Sequence, residues 1–210
     1  MITPSSIIHH IPYDPANTEI VSTRPKKRIE IVEPDPTWPA AFALIEARIK
    51  AALPQDDLYV QHVGSTSVPG LPAKAVIDID VVVSDPTAEE DYVPALESAG
   101  FQFLFRERKW HEHRFFHCEE PYANIHVFGP DSPEVVRHRL FRDWLRDPNN
   151  EGDKELYAEV KRQAAKASRE ADETVMEYND RKEPVIREIL KRVYEAHGLL
   201  ADSENGPQTV

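Results

Sequence analysis

HVGSTSVPGLPAKAVIDIDVVV, residues 62 to 83, joins a small-residue turn, Gly64-Ser65-Thr66-Ser67, to an apolar run interrupted by two acids, Asp78 and Asp80. Ala75 to Val83 is apolar enough to form a buried central strand. Alternation on a strand puts Asp78 and Asp80 on one face, with Cα atoms roughly 6.5 Å apart. Two like charges buried there would cost several kcal/mol unless a cation stands between them. A divalent ion such as magnesium, which takes one or two carboxylates plus phosphate oxygens, answers that need. The alternative is a strand end where both acids reach water or pair with Lys74, His62 or an arginine.

The turn offers backbone N–H groups and the hydroxyls of Ser65, Thr66 and Ser67, a set able to cradle phosphate oxygens. It is not a P-loop, because no Gly-Lys-Ser/Thr occurs in the chain. Lys74 lies between turn and acids and can pair with phosphate or with Asp78. Further along, Arg106 and Arg114 are candidate contacts for a triphosphate or acidic substrate. A solvated edge hairpin is the other reading of the Arg106–Arg139 region.

Outward from this stretch, Leu58 to Val63 reads as a strand entering the turn, and Arg28 to Glu33 (RIEIVE) alternates as a strand should. Asp35 and Pro36 open a helix with an apolar stripe of Phe42, Ile45, Ile49 and Leu53. Trp38 reads as a core anchor. Glu89 to Ser98 is a short helix stopped by Gly100. Strand-like runs follow at Phe101 to Phe105, Arg114 to His117 and Ala123 to Phe128, then a helix from Ser132-Pro133 to about Pro148. From Asp153 the chain is helical, with Leu156, Val160, Ala164, Ala167 and Ala171 on one face, Pro184 as a kink or restart, and Gly198 as the stop. The pattern is a mixed α/β domain over residues 27–198 with a helical C-terminal section. A proline-rich flexible tail precedes it (1–26) and a disordered one follows (199–210).

The 210 residues suffice for one sizeable core, and the net charge of −12 argues against a duplex nucleic-acid binder. The single cysteine, Cys118, excludes an intrachain disulfide. With no apolar run of membrane-spanning length and no signal-like N-terminus, a soluble cytoplasmic protein is expected.

Together with DPTWPAAF (35–42), NIHVF (124–128) and LFRDWLR (140–146), residues 62–83 resemble the GrpB family of the nucleotidyltransferase superfamily over about residues 28–197. GrpB-like domains also occur fused to dephospho-CoA kinase. The resemblance implies a nucleotidyltransferase-like fold, Gly64 and Ser65 in a phosphate-binding turn, and Asp78 and Asp80 as magnesium ligands. Active members of the superfamily carry a third carboxylate on a later strand. Here that strand offers Asn124 and His126 on the relevant face instead. His126 is then a candidate base, ligand or substrate contact, or a structural histidine. Two functions follow: nucleotidyl transfer from a nucleoside triphosphate to a small acceptor, or a non-catalytic module that binds a nucleotide or coenzyme A precursor and assists a partner enzyme of unknown identity.

Overall fold

The computed structural model describes residues 2–12, 14–25, 27–54 and 58–200. In chain order the elements are α1 (Pro4–Ile8), β1 (Glu19–Ile20), α2 (Trp38–Ala52), β2 (Tyr59–Val63), β3 (Ile77–Val82), α3 (Val93–Ser98), β4 (Gln102–Glu107), β5 (His113–Cys118), β6 (Ala123–Phe128), α4 (Pro133–Arg146), α5 (Glu151–Glu170) and α6 (Val175–Ala196). The strands form one six-stranded sheet in the order β1-β4-β5-β6-β3-β2. β3 and β6 run parallel, and every other pair is antiparallel. The fold is thus a mixed α/β sheet with a helical C-terminal section, as the periodicity predicts. β3 lies one strand in from the edge rather than at the centre.

Strand alternation divides the sheet into two unlike faces. Ile77, Ile79 and Val81 of β3 and Ala123, Ile125 and Val127 of β6 pack with Phe116 against Trp38, Ile45 and Ile49 of α2 and Leu96 of α3. The opposite face carries Asp78 and Asp80 beside Asn124 and His126, since the register pairs Asp78 with Asn124 and Asp80 with His126. A second apolar cluster, with Leu145, Tyr157, Ile189 and Val193, holds α4, α5 and α6 together on that side.

Several expected elements differ. RIEIVE makes only one bridge, Val32 to Ala73. Residues 1–26, expected to be a tail, supply α1, with Ile7 buried, and β1, paired with β4. Leu199 and Leu200 pack against the second cluster, and 201–210 lie outside the described residues. The helical section breaks not at Pro184, which sits inside α6, but at Ala171–Thr174, where Asp172 has φ 53° and Thr174 forms a capping box with Glu177. α5 is also rotated from the expected stripe. It buries Tyr157, Lys161, Ala164 and Ser168, while Leu156 is exposed.

Candidate functional site

Gly64 ends β2 at φ 67°, and a Cβ there would fall 2.5 Å from Asp78 Oδ2. Only glycine lets the turn approach the first acid so closely. The hydroxyls that follow are largely engaged in holding the turn. Ser67 Oγ donates to the Gly64 carbonyl at 2.6 Å, and Thr66 Oγ1 donates to the Val76 carbonyl at 3.0 Å. His62 Nε2 lies 3.0 Å from that same Thr66 Oγ1, and burial pushes His62 down to about 4, so it is a neutral donor. Arg146 clamps the Ser67 carbonyl from α4 at 2.9 and 2.7 Å. Ser65 bonds to Tyr157 of α5 and lines the adjoining cavity.

The acids have different surroundings. Half-buried Asp78 accepts from Asn124 Nδ2 at 2.8 Å, and Arg24 orients that amide by donating to Asn124 Oδ1 at 3.0 Å. Burial raises the Asp78 pKa, against the pull of Lys74 and Asn124. Asp80 is wholly buried. It accepts from Gln61 Nε2 at 2.8 Å and sits 3.0 and 3.1 Å from His138 Nδ1. Burial works against a charged His138, yet Asp80 prevails and raises its pKa. Each carboxylate has about four lone-pair sites, so both retain room for a divalent ion. Among the described residues no third His, Cys, Asp or Glu completes a protein cage. The donor set therefore fits a hard ion whose remaining ligands are water and phosphate oxygens, as magnesium prefers.

Three lysines converge on Asp78 from separate elements: Lys74 after the turn, Lys161 of α5 and Lys182 of α6. Lys161 is 2% exposed and Lys182 8% exposed. Lys161 Nζ donates to the Pro72 carbonyl at 2.5 Å, and Lys182 Nζ lies 4.2 Å from the Tyr178 ring centroid. None of the three forms an ion pair within the described residues. Burial, then repulsion from Lys74, lowers Lys182 to about 7; Lys161 is held well below its ordinary range by burial and by Lys182. The C-terminal helices thus bring two cations to the site.

Arg106 and Arg114 do not join it. β4 carries an irregularity between Phe103 and Phe105 that inserts Leu104 without a partner. One inserted residue exchanges the faces beyond it. Arg106 and Arg114 therefore pair across the helix-covered face, where both donate to Glu89, at 2.7 and 2.5 Å from Arg106 and 2.8 Å from Arg114. The same slip carries Glu107 to the face of the acids. There Glu107 Oε2 lies 2.7 Å from His113 Nδ1, and His113 Nε2 lies 3.1 Å from His126 Nδ1.

A cavity of about 440 Å³ opens beside Gly64, Ser65 and His138. Its walls are mainly apolar, with Trp110, Phe141, Leu145, Ile186 and Leu190. Size and lining suit one small organic molecule.

Of the residues expected from sequence, the structure assembles Gly64, Ser65, Lys74, Asp78, Asp80 and His126. It uses Thr66 and Ser67 to brace the turn, and it adds Gln61, His138, Lys161, Lys182, Glu107 and His113.

Fold and site define an α/β protein with a mixed sheet and a carboxylate pair set against a glycine turn and a lysine cluster. The chain belongs to the GrpB family, whose model (GrpB protein) matches residues 28–192. It is 44% identical over 164 residues to the UPF0157 protein BH1888 of Halalkalibacterium halodurans, covering 78% of this chain and 82% of that protein. It is 33% identical over 204 residues to a dephospho-CoA kinase of Mycolicibacterium paratuberculosis, covering 83% of this chain and 49% of the kinase. The crystal structure of conserved protein GrpB from Enterococcus faecalis superposes with a TM-score of 0.68 at 26% identity, over 80% of this chain and 99% of that one. No helix among the described residues is long and apolar enough to cross a membrane.

Proposed function

We propose that the protein binds a nucleoside triphosphate with a divalent cation and transfers its nucleotidyl group to a small hydroxyl-bearing acceptor. The observation that carries this reading is the convergence on Asp78, which shares a strand face with Asp80, of half-buried Lys74 and buried Lys161 and Lys182, none of which forms an ion pair among the described residues. Lys74, Lys161 and Lys182 would neutralise the phosphates, and the Gly64–Ser65 turn would seat them against the acids. Asp78 and Asp80 would hold magnesium, which when bound supplies charge neutralisation on the reacting phosphate. Asn124 and Gln61 fix the two carboxylates, and the apolar cavity receives the base or the acceptor.

Titration calorimetry with ATP, CTP, GTP and UTP, with and without magnesium, tests the binding. Metal-dependent binding of at least one nucleotide, lost in Asp80→Asn, supports it; no binding of any of them removes it. Pyrophosphate release then tests transfer.

A second reading, a non-catalytic module for a nucleotide or coenzyme A precursor that assists a partner enzyme, is favoured by one feature of the site. β6 presents Asn124 and His126 where active relatives of the wider superfamily carry an acid. The likeness to a protein named dephospho-CoA kinase gives this reading a ligand class. Binding without pyrophosphate release from any nucleotide supports it, and release abolished by Asp80→Asn excludes it.

A further inference from the structure

We infer that Glu107, His113 and His126 form a proton relay in which Glu107 is the terminal acceptor. It would take the place of a carboxylate on β6. The inference rests on the nucleotidyl-transfer reading for its purpose, though not for its test.

The geometry is that of a continuous hydrogen-bonded chain. Glu107 Oε2 lies 2.7 Å from His113 Nδ1, and His113 Nε2 lies 3.1 Å from His126 Nδ1. The two imidazole centroids are 5.2 Å apart with planes 22° apart. With nitrogens at 3.1 Å, that is an edge-to-edge hydrogen bond in nearly one plane, not a face stack. Trp110, Phe105, Phe115 and Phe128 pack around His113, which is 2% exposed. Glu107 is 7% exposed, and its other oxygen accepts from Thr18 Oγ1 at 3.2 Å.

Chemistry then links the tautomers. With Glu107 ionised, His113 Nδ1–H donates to it, so His113 Nε2 must accept and His126 Nδ1–H must donate. His126 Nε2 is then an unprotonated base, on the residue in register with Asp80. When an acceptor hydroxyl attacks the α-phosphorus, the new O–P bond forms as the bond to the leaving pyrophosphate breaks, and the O–H bond breaks with its proton going to His126 Nε2. The Nδ1 proton of His126 passes to His113 Nε2, and the Nδ1 proton of His113 passes to the Glu107 carboxylate. One proton enters and one carboxyl is formed. Both rings end as neutral Nε2–H tautomers. Neither becomes a cation, in keeping with burial, which pushes both down to about 3 and raises Glu107. The other titratable or charged groups around the rings are Asp80, His111, Arg114 and His138 for His113, and Asp80, His138 and Arg24 for His126. On the cavity wall that Glu107 shares stand His10 from the N-terminal segment, and Glu134, Arg137 and His138 from α4.

Long-range ¹H–¹⁵N spectra of the histidines, recorded on the ligand-free wild-type protein across the pH range in which it stays folded, test this without a substrate. The relay predicts that His113 and His126 stay neutral and switch from Nε2–H to Nδ1–H together, at one pH, as Glu107 ionises. Glu107→Gln, which does not titrate, abolishes the switch. An imidazolium signal from either ring, or tautomers that fail to move together, overturns the relay whether or not Glu107→Gln folds. If pyrophosphate release is found, Glu107→Gln should lower kcat at least about 100-fold with KM for the nucleotide unchanged. Absence of any turnover alongside a concerted switch would remove the transfer reading and leave the relay standing.

Discussion

The two faces of the sheet handle buried charge in opposite ways. Under α2 and α3, Arg114 is fully buried, but Glu89 bonds to it and to Arg106, and Glu112 adds a further bond at 3.0 Å. On the other face, Lys161 and Lys182 are nearly as buried, yet neither is in an ion pair among the described residues: they meet an aromatic ring, a carbonyl and one another, with Asp78 beyond ion-pair distance. Burying a cation without a counter-charge costs several kcal/mol. On the first face carboxylates bond to both guanidiniums, with Arg114 Nη2 left without a hydrogen-bond partner. The second leaves its cations without a bonded carboxylate among the described residues, and an anion is the complement proposed for it.

The comparison can be broken most forcefully at Arg114. Arg114→Ala removes the cation between Glu89 and Glu112, and should cost about 3–5 kcal/mol in denaturant unfolding. Polyphosphate affinity of the fraction that stays folded should be unchanged. A loss of affinity in that fraction would place Arg114 at the site after all.

Acid should act next most strongly. His62 has a folded pKa near 4 against about 6.5 when unfolded. The unfolded chain therefore binds the proton first. Stability is complete above pH 6.5 and falls as pH drops toward 4, by up to about 3 kcal/mol for this residue. His62→Gln keeps a donor for Thr66 and should flatten that part of the pH–stability curve. His113 and His126 add to the same slope on the other face.

Gly64→Ala forces a Cβ onto Asp78 Oδ2 and strains a positive φ. About 1–3 kcal/mol of stability should be lost, together with nucleotide binding in calorimetry. The smallest effect has the opposite sign. Lys182→Met replaces an unpaired buried cation with a side chain of similar length, and should raise the thermal midpoint by the equivalent of about 1 kcal/mol while weakening triphosphate binding at least tenfold.

The α/β class, the glycine turn and the acid pair were legible because each depends on local pattern: alternation in IDIDVVV, and small residues directly after a strand. Asn124 and His126 were placed on the correct face for the same reason. What alternation misplaces lies beyond Leu104. Alternation through FQFLFRE cannot reveal the unpaired Leu104, which turns Arg106, a candidate phosphate contact, away from the acids and Glu107 toward them. Lys161 and Lys182 were hidden differently. The stripe Leu156, Val160, Ala164 looks like the buried face of α5, but the helix turns to bury Tyr157 and Lys161 with Ala164 and to expose Leu156. That rotation goes with tertiary contacts, Tyr157 bonding to Ser65 of the turn and Tyr178 packing on Ala164 and Ala165. Thr174-x-x-Glu177 is a capping box in plain sequence, and it locates the break that Pro184 does not make.

Completion of the lysine-bearing face by a polyphosphate can be measured by titrating inorganic triphosphate into the wild-type protein near pH 8, in buffers of different ionisation enthalpy. Lys182, near 7 in the free protein, is then mostly neutral. An arriving polyanion should raise its pKa and draw in a proton. The predicted result is binding accompanied by net proton uptake, with the uptake lost in Lys182→Met. Binding with no proton uptake, or no binding at all, would contradict the account.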